Sequence, residues 1–328
     1  MAKPFVEKLT LTLVLSLLLA NSAVARPASS EMQHMAAEGQ FELTPSLSFS
    51  RGTLTNNSAI SEDNESSETD SIGSVTVLGE YGLCPGLSVG LRLGYQTESI
   101  TQSGGLGFGA GGPLTAPLKA AGLLDPSFYL KAKTHLGIGS LWYGFNFSAS
   151  IYNSISTGFQ TANVASGGVT ATPFLGYESP VGGAILGARV AYDAYQSPRV
   201  IQSDNSTGSA ARLTGGNVFS AVAYAEMPLW SGTWGLTGGI TQNTTTRYSD
   251  SVTPSTDQQD ALVLPLGFVY ASYLVAPDTT FLPTVGYGPA IAYGPTSGYG
   301  SLPYDNLDPA GALGLTQFYA SLAVRILF

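Results

Sequence analysis

Alternation of apolar and polar side chains is the feature that most constrains the fold of this 328-residue chain. In residues 41–50 every odd-numbered position is apolar or proline, and every even-numbered position is polar. A similar period of two recurs over residues 87–96, 141–151 and 318–328. Because successive side chains of a β-strand point to opposite faces, each segment predicts a strand with two different faces.

Two-faced strands occur both in soluble β-sandwiches and in membrane barrels, and the start of the chain favours the barrel. Two lysines within the first eight residues precede an apolar run over residues 9–20, and Ala23-Val24-Ala25 matches a signal-peptidase site. The run is shorter than the about 20 residues that a membrane-spanning helix needs. We therefore expect cleavage near Ala25, export of the chain from Arg26 onward, and localisation in a bacterial outer membrane.

The turn residues between the alternating segments divide the chain into twelve predicted strands. Their spans are 40–54, 73–83, 87–99, 125–136, 140–152, 168–179, 184–195, 217–229, 233–244, 260–273, 279–293 and 314–328. Short connections follow the even-numbered strands and long loops follow the odd-numbered ones, as periplasmic turns and extracellular loops do in outer-membrane barrels.

The predicted fold is therefore all-β, a closed antiparallel transmembrane β-barrel of about twelve strands. The expected organisation is a signal peptide over 1–25, a short periplasmic segment over 26–39 and the barrel over 40–328. Prolines at 173, 265 and 283 fall inside predicted strands, where each removes a ladder hydrogen bond, so ten or fourteen strands stay open as alternatives.

Composition restricts the chemistry. Removing Lys3, Glu7 and Lys8 with the signal peptide reduces 13 basic and 22 acidic residues to 11 and 21, an acidic balance that argues against a nucleic-acid partner. Neither His34, before the first strand, nor His135, beside a predicted turn, is placed as the base of a serine nucleophile. No cysteine, histidine or carboxylate cluster has metal-ligand spacing. We expect no enzymatic activity, no cofactor and no metal.

The charged residues inside the predicted strands define a candidate lumen site. An Arg or Lys on the lipid face costs roughly 2–4 kcal/mol at the membrane midplane, so these side chains are expected to face inward. The inward charges are Glu42, Glu80, Arg92, Glu98, Lys131, Lys133, Arg189, Asp193, Glu226 and Arg325. One interpretation is a paired network, such as Glu42 with Arg325, that fills a narrow barrel; the other is an ion-selectivity zone.

Two long loops, 102–124 and 294–313, are candidates for a constriction at the barrel mouth because they are rich in glycine and apolar residues. Their candidate side chains are Leu106, Phe108, Leu114, Tyr299, Leu302 and Tyr304. Residues 61–71 carry five acidic side chains and no basic one. A solvated loop and a divalent-ion site bridging lipopolysaccharide both fit that composition.

Two segments carry family resemblances. Residues 318–328 resemble the C-terminal signature of outer-membrane proteins, which implies recognition by the barrel-assembly machinery. The signature positions are Phe318, Leu322, Val324, Ile326 and Phe328. Residues 122–133 resemble a loop-to-strand segment of a transporter family associated with the meta-pathway of phenol degradation, which is distantly similar to long-chain fatty-acid channels.

The predicted function is an outer-membrane channel for passive uptake of small hydrophobic or aromatic solutes. This prediction rests on analogy with other barrels. The expected protein is a monomer whose partners are outer-membrane lipid, lipopolysaccharide and the solutes. The alternatives are a structural or adhesive surface barrel with a plugged lumen, and a lipid-modifying barrel enzyme.

Overall fold

A computed structural model describes twelve stretches of the chain. They are residues 30–57, 65–103, 118–150, 154–156, 168–195, 199–203, 210–215, 217–243, 246–250, 257–259, 263–287 and 316–328. No helix among these residues is long and apolar enough to cross a membrane.

The described residues form eighteen β-strands. In chain order these are β1 Phe41–Asn57, β2 Glu65–Cys84, β3 Leu87–Ser103, β4 Leu118–Leu123, β5 Ser127–Leu136, β6 Gly139–Ala149, β7 Ser154–Ser156, β8 Val169–Val181, β9 Ala184–Tyr195, β10 Arg199–Ser203, β11 Ala210–Gly215, β12 Val218–Leu229, β13 Gly232–Asn243, β14 Thr246–Asp250, β15 Asp257–Gln259, β16 Val263–Ala276, β17 Thr279–Tyr287 and β18 Thr316–Leu327.

Twelve of these strands close into one antiparallel barrel. Its order is β1, β2, β3, β5, β6, β8, β9, β12, β13, β16, β17 and β18, and β18 pairs back onto β1. At the seam the Phe328 amide donates to the Phe41 carbonyl at 2.8 Å, and the two rings lie 6.0 Å apart. The predicted all-β closed barrel of twelve strands is confirmed.

The three strand prolines lie where the ladder is incomplete on one side. Pro173 pairs with Phe145 of β6 but falls in a gap of the pairing between β8 and β9. Pro283 likewise pairs with β18 and lies in a gap of the ladder toward β16. Pro265 pairs with β13 and lies before the pairing of β16 with β17 begins. No separate bulge is therefore needed, and the ten- and fourteen-strand alternatives are wrong.

Five tight turns mark one end of the barrel, which we call the short-turn end. Each of the hairpins β2–β3, β5–β6, β8–β9, β12–β13 and β16–β17 has a two-residue connection. Gly86 adopts φ of 79°, a left-handed conformation that two-residue hairpins require and glycine adopts freely. A Cβ there would also lie only 2.6 Å from the Lys133 carbonyl oxygen.

The long connections contain more strand than the sequence predicted. β1 and β2 stay paired out to Asn57 and Glu65, within the predicted loop 55–72. β4, within the predicted loop 100–124, pairs with the far half of β3. A second sheet, ordered β15, β14, β11, β10 and β7, is built from the other long connections. β4 and the strands of the second sheet are three to six residues long, too short for a period of two to mark them as strands.

The two faces of the wall differ as the alternation predicted. Large apolar side chains project outward and are exposed, among them Leu47, Leu91, Leu93, Leu175 and Leu236. Soluble proteins rarely expose a continuous apolar surface of this kind, whereas a lipid-facing band requires it. Inward side chains are mainly Ser, Thr, Tyr and charged residues, and most of them are buried.

Candidate functional site

A belt of charged side chains lines the lumen close to the short-turn end. Its six wall members are Glu42, Glu80, Lys131, Glu178, Glu226 and Arg325. Five of them are predicted inward charges; the sixth, Glu178, was not predicted. It has the same parity as the inward residues Thr172 and Phe174 of β8, so the alternation could have found it.

Three of the belt carboxylates belong to a unit that repeats around the barrel. In each unit a glutamate, a glycine and a tyrosine lie side by side on three neighbouring strands. The units are Glu80–Gly90–Tyr129, Glu178–Gly187–Tyr224 and Glu226–Gly235–Tyr270. Each tyrosine ring lies over the glycine and its hydroxyl donates to the glutamate, at 2.7 Å for Tyr129 and 3.1 Å for Tyr224.

The glycine of each unit is required by this close approach. A Cβ at Gly90, Gly187 or Gly235 would lie 2.1 to 2.2 Å from the tyrosine Cζ atom. Glycine therefore lets the ring lie flat across the neighbouring strand and carry its hydroxyl to the carboxylate two strands away. The arrangement resembles the covering of strand glycines by aromatic rings that stabilises other sheets. It holds three carboxylates directed at the lumen.

Residues 30–38, which we call the plug, lie inside the barrel at the level of this belt. The amides of Glu31 and Met32 each donate to the Glu226 carboxylate at 2.8 Å. The Ala36 amide donates to Glu80 at 3.1 Å. Glu226 on β12 and Glu80 on β2 are six strands apart in a ring of twelve, so they stand on opposite walls. The plug main chain therefore crosses the lumen.

Side chains of the plug add charged contacts to the wall. Glu31 accepts two hydrogen bonds from Arg325, at 2.8 and 3.2 Å. Burial alone would raise the pKa of Glu31, but the charge and hydrogen bonds of Arg325 hold it below its ordinary value. His34 Nε2 lies 2.7 Å from Glu42, and Lys131 donates to the His34 carbonyl at 2.7 Å.

The first described residues of the plug are also fixed. Ser30 Oγ donates to Glu178. Met32 is buried in an apolar patch on the lumen wall. The wall residues of this patch are Phe174, Ala191, Val222, Tyr224, Leu266 and Tyr270. The patch begins directly beside the belt, because its residues Tyr224 and Tyr270 donate to the belt carboxylates Glu178 and Glu226.

The plug leaves the lumen at the short-turn end before it continues into β1. Glu38 pairs with Gly82, and the Gly39 amide donates to the Gly82 carbonyl at 2.8 Å. A Cβ at Gly82 would lie 1.9 Å from the Ala37 carbonyl oxygen, so glycine is needed for this passage. We expected a short periplasmic segment over 26–39. Its described part instead enters the barrel, because its main-chain amides satisfy wall carboxylates.

Other predicted inward charges have partners on the barrel wall. Arg189 and Asp193 are buried further along β9; Arg189 stacks on Phe174 at 4.8 Å, and Thr172 donates to Asp193 at 2.6 Å. Arg92 donates weakly to Ser127 at 3.4 Å.

Lys133 lies over the Trp142 ring at 4.6 Å. The side chain of Glu98 lies outside the described residues. The predicted pair Glu42–Arg325 is present at 4.0 Å.

The remaining candidates fall into two groups. The predicted mouth residues all lie outside the described residues: Leu106, Phe108, Leu114, Tyr299, Leu302 and Tyr304. Among the C-terminal signature positions, Phe318, Leu322 and Phe328 are exposed on the outer face, and Val324 and Ile326 are partly exposed. In the part of the chain that the structure describes, no group of three or more metal-ligating side chains occurs.

Comparison with known proteins gives likeness of fold. No protein-family model matches the chain, and no curated protein matches it in sequence. Among solved structures, an outer membrane channel from Pseudomonas putida F1 aligns with a TM-score of 0.56 and 12% identity, over 93% of this chain and 100% of that one.

Two further solved barrels align less closely. The TodX monoaromatic hydrocarbon channel aligns with a TM-score of 0.42 and 10% identity, over 89% of this chain and 90% of that one. The NanC porin aligns with a TM-score of 0.40 and 13% identity, over 85% of this chain and 98% of that one. Together with the closed twelve-strand architecture, the first of these alignments shows that the chain has the fold of the bacterial outer-membrane β-barrels.

Proposed function

We propose that this protein is an outer-membrane channel for passive uptake of small hydrophobic or aromatic solutes, and that its own N-terminal segment closes it at the periplasmic end. The observation that carries the proposal is the plug. A lumen that accommodates a peptide main chain between opposite walls has room for a small solute once that peptide moves. The plug is joined to the wall by hydrogen bonds and ion pairs, so it can leave without any strand being broken.

The apolar patch supports the choice of solute. Phe174, Val222 and Leu266 form an apolar surface in an otherwise polar lumen, and the Met32 side chain of the plug covers it. Ligand sites commonly combine such an apolar surface with a few polar groups that set orientation. A hydrophobic or aromatic solute that displaced Met32 would bury its surface in the same place.

The outer face of the barrel supports the partners that we propose. The exposed apolar band would contact outer-membrane lipid, with lipopolysaccharide at its outer border, around a single closed barrel. The C-terminal strand would be recognised by the barrel-assembly machinery. We also propose that the protein is not an enzyme. Among the described residues His34 contacts Glu42 and Lys131, His135 is exposed at the end of β5, and neither histidine bonds a serine.

A structural or adhesive barrel with a permanently plugged lumen is the second candidate. The contacts of the plug on both walls favour it, because each must break before the lumen opens. The two candidates differ in one measurable property. A channel conducts when the plug is absent, whereas a barrel filled by its own wall side chains does not.

The test is single-channel conductance in a planar bilayer. A variant that lacks residues 26–36 removes the part of the plug that contacts the belt, residues 30–36, and a control variant that lacks only 26–29 keeps every plug contact described above. We expect the first to give steady ohmic steps and the control to remain closed for most of the recording. If both variants are equally silent, the channel proposal is wrong and the structural barrel is favoured.

A further inference from the structure

Glu226 differs from the other belt carboxylates in what offsets its charge. Its side chain is 1% exposed, and its partners are the Glu31 amide, the Met32 amide and the Tyr270 hydroxyl. Glu80, in contrast, lies 2.8 Å from the Lys131 ammonium. No lysine or arginine within the described residues forms an ion pair with Glu226. All its partners are neutral, and two of the three belong to the plug.

Departure of the plug would leave Glu226 with the Tyr270 hydroxyl alone. A buried carboxylate that loses its donors is costly, so whatever replaces the plug gains by supplying N–H groups to both oxygens. A cationic donor gains more than a neutral one, because its positive charge adds a Coulomb attraction to the buried carboxylate that a neutral N–H group lacks. We call the wall surface that Ser30, Glu31 and Met32 occupy the seat. Its Glu226 end therefore favours an ammonium group.

The part of the lumen wall beside Glu226 determines which ligand body would fit next to the ammonium group. Tyr224 and Tyr270 connect the carboxylates Glu178 and Glu226 to the apolar patch that Met32 covers. Faces of aromatic rings also attract cations. At the far side of the patch the Arg189 guanidinium stacks on Phe174 and would repel a second positive charge. A matching ligand thus has one cationic end toward Glu226 and an apolar body toward Phe174.

We propose that the seat of Ser30–Met32 is a binding site for small organic ammonium ions with an apolar or aromatic body. Such an ion competes with the plug: its ammonium takes the place of the two plug amides on Glu226, and its body takes the place of the Met32 side chain. Binding of the ion therefore releases the plug. The inference rests on the proposed function only in placing this seat on the path of transport.

Release of the plug is measured by labelling a cysteine at a buried plug position. Ala36→Cys is suitable because Ala36 is buried and lies outside the Glu226 contact, and Cys84→Ser removes the exposed natural thiol. The full mature chain is labelled with N-ethylmaleimide, a neutral reagent. Phenethylammonium is compared with 2-phenylethanol, its uncharged analogue, and with 3-phenylpropionate, an anion. We expect phenethylammonium to raise the labelling rate about tenfold over 2-phenylethanol.

Glu226→Gln in the same background tests the residue that defines the ligand class. It keeps the shape of the side chain and removes the charge, so we expect a higher basal labelling rate and loss of the preference for the ammonium compound. Asp193→Asn is the matched control. Asp193 is equally buried on the lumen wall, yet its hydrogen-bond partner is Thr172 and not the plug. The preference should survive this substitution.

The outcomes separate this inference from the proposed channel. Equal labelling rates with the amine and the alcohol would overturn the ammonium site, even if the variant lacking 26–36 conducts. The same holds if Glu226→Gln retains the amine preference. If the truncated variant is silent while phenethylammonium still accelerates labelling through Glu226, the binding site stands and the channel proposal fails.

Discussion

Replacing the glycine of one Glu–Gly–Tyr unit tests whether these units stabilise the barrel. At Gly235 a Cβ would lie 2.1 Å from Cζ and 2.5 Å from Oη of Tyr270. Ordinary van der Waals contact begins near 3.4 Å, so the Gly235→Ala variant must move the ring by about 1.3 Å, the difference of the two distances. Tyr270 is 1% exposed, so the displaced ring must push against the side chains packed around it.

The expected cost has two parts. Forcing an extra carbon into this packed site costs roughly 1–3 kcal/mol. Moving the ring also breaks the hydrogen bond from Tyr270 to Glu226, and a hydrogen bond to a charged group is worth roughly 1.5–3 kcal/mol. We expect Gly235→Ala to lower the free energy of unfolding by about 2.5–6 kcal/mol.

The measurement is equilibrium unfolding of the refolded barrel in urea, followed by tryptophan fluorescence in detergent micelles. Gly238→Ala is the control on the same strand, because Gly238 faces outward and a Cβ there meets nothing within 4 Å. We expect a change below about 0.5 kcal/mol for this variant. If the two variants unfold alike, the ring over Gly235 contributes no stability and the argument for the three units is refuted.

Three further predictions concern the plug and the barrel seam. Arg325→Gln leaves Glu31 without its cation, so labelling at Ala36→Cys should accelerate. In a double-mutant cycle, Arg325→Gln should accelerate labelling less in a chain that already carries Glu31→Gln than in one that keeps Glu31. Because Arg325 depresses the pKa of Glu31, this ion pair stabilises the plug fully above the ordinary value of 4.5 and is lost as pH falls through the lowered value. Maleimide reacts with the thiolate, so the labelling rate at Ala36→Cys is divided by that of the exposed Cys84 in the otherwise unchanged chain at the same pH. This ratio should rise on acidification, with a smaller rise in Glu31→Gln. Phe328→Ala should reduce the yield of folded barrel in cells yet leave refolding in detergent nearly unchanged. The hydrogen bond from the residue 328 amide to the Phe41 carbonyl does not need the ring.

Much of the barrel could be predicted from the sequence because membrane strands expose one face to lipid. Where the wall is lipid-facing the bounds agree closely: 217–229 was expected for β12, and Val218–Leu229 is found. The agreement ends where the sequence is polar at every position. β2 begins at Glu65, whereas the expected strand began at 73. The expectation fell short because residues 65–70 are all polar and therefore carry no period of two.

The candidate site could be predicted only in part. Parity alone places Glu80 and Glu226 in the lumen, but it does not show which glycine and tyrosine lie beside them. That depends on pairing between strands joined by long connections, such as Gly90 of β3 with Tyr129 of β5. The plug gave no side-chain signal at all. Three of its contacts with wall carboxylates are made by main-chain amides, which every residue except proline possesses, so these contacts leave no mark in the sequence.

The Glu–Gly–Tyr units link the stability of the barrel to its state of closure. Each tyrosine directs a carboxylate into a narrow lumen, where an unsatisfied charge is costly. For Glu226 the plug supplies two of the three donors, each worth roughly 1.5–3 kcal/mol to a charged acceptor before water replaces it. Water that enters recovers part of this energy, so the closed state is favoured by the remainder. A ligand can shift that balance only by binding the open wall more tightly than water does, and at Glu226 a cationic N–H donor meets this condition.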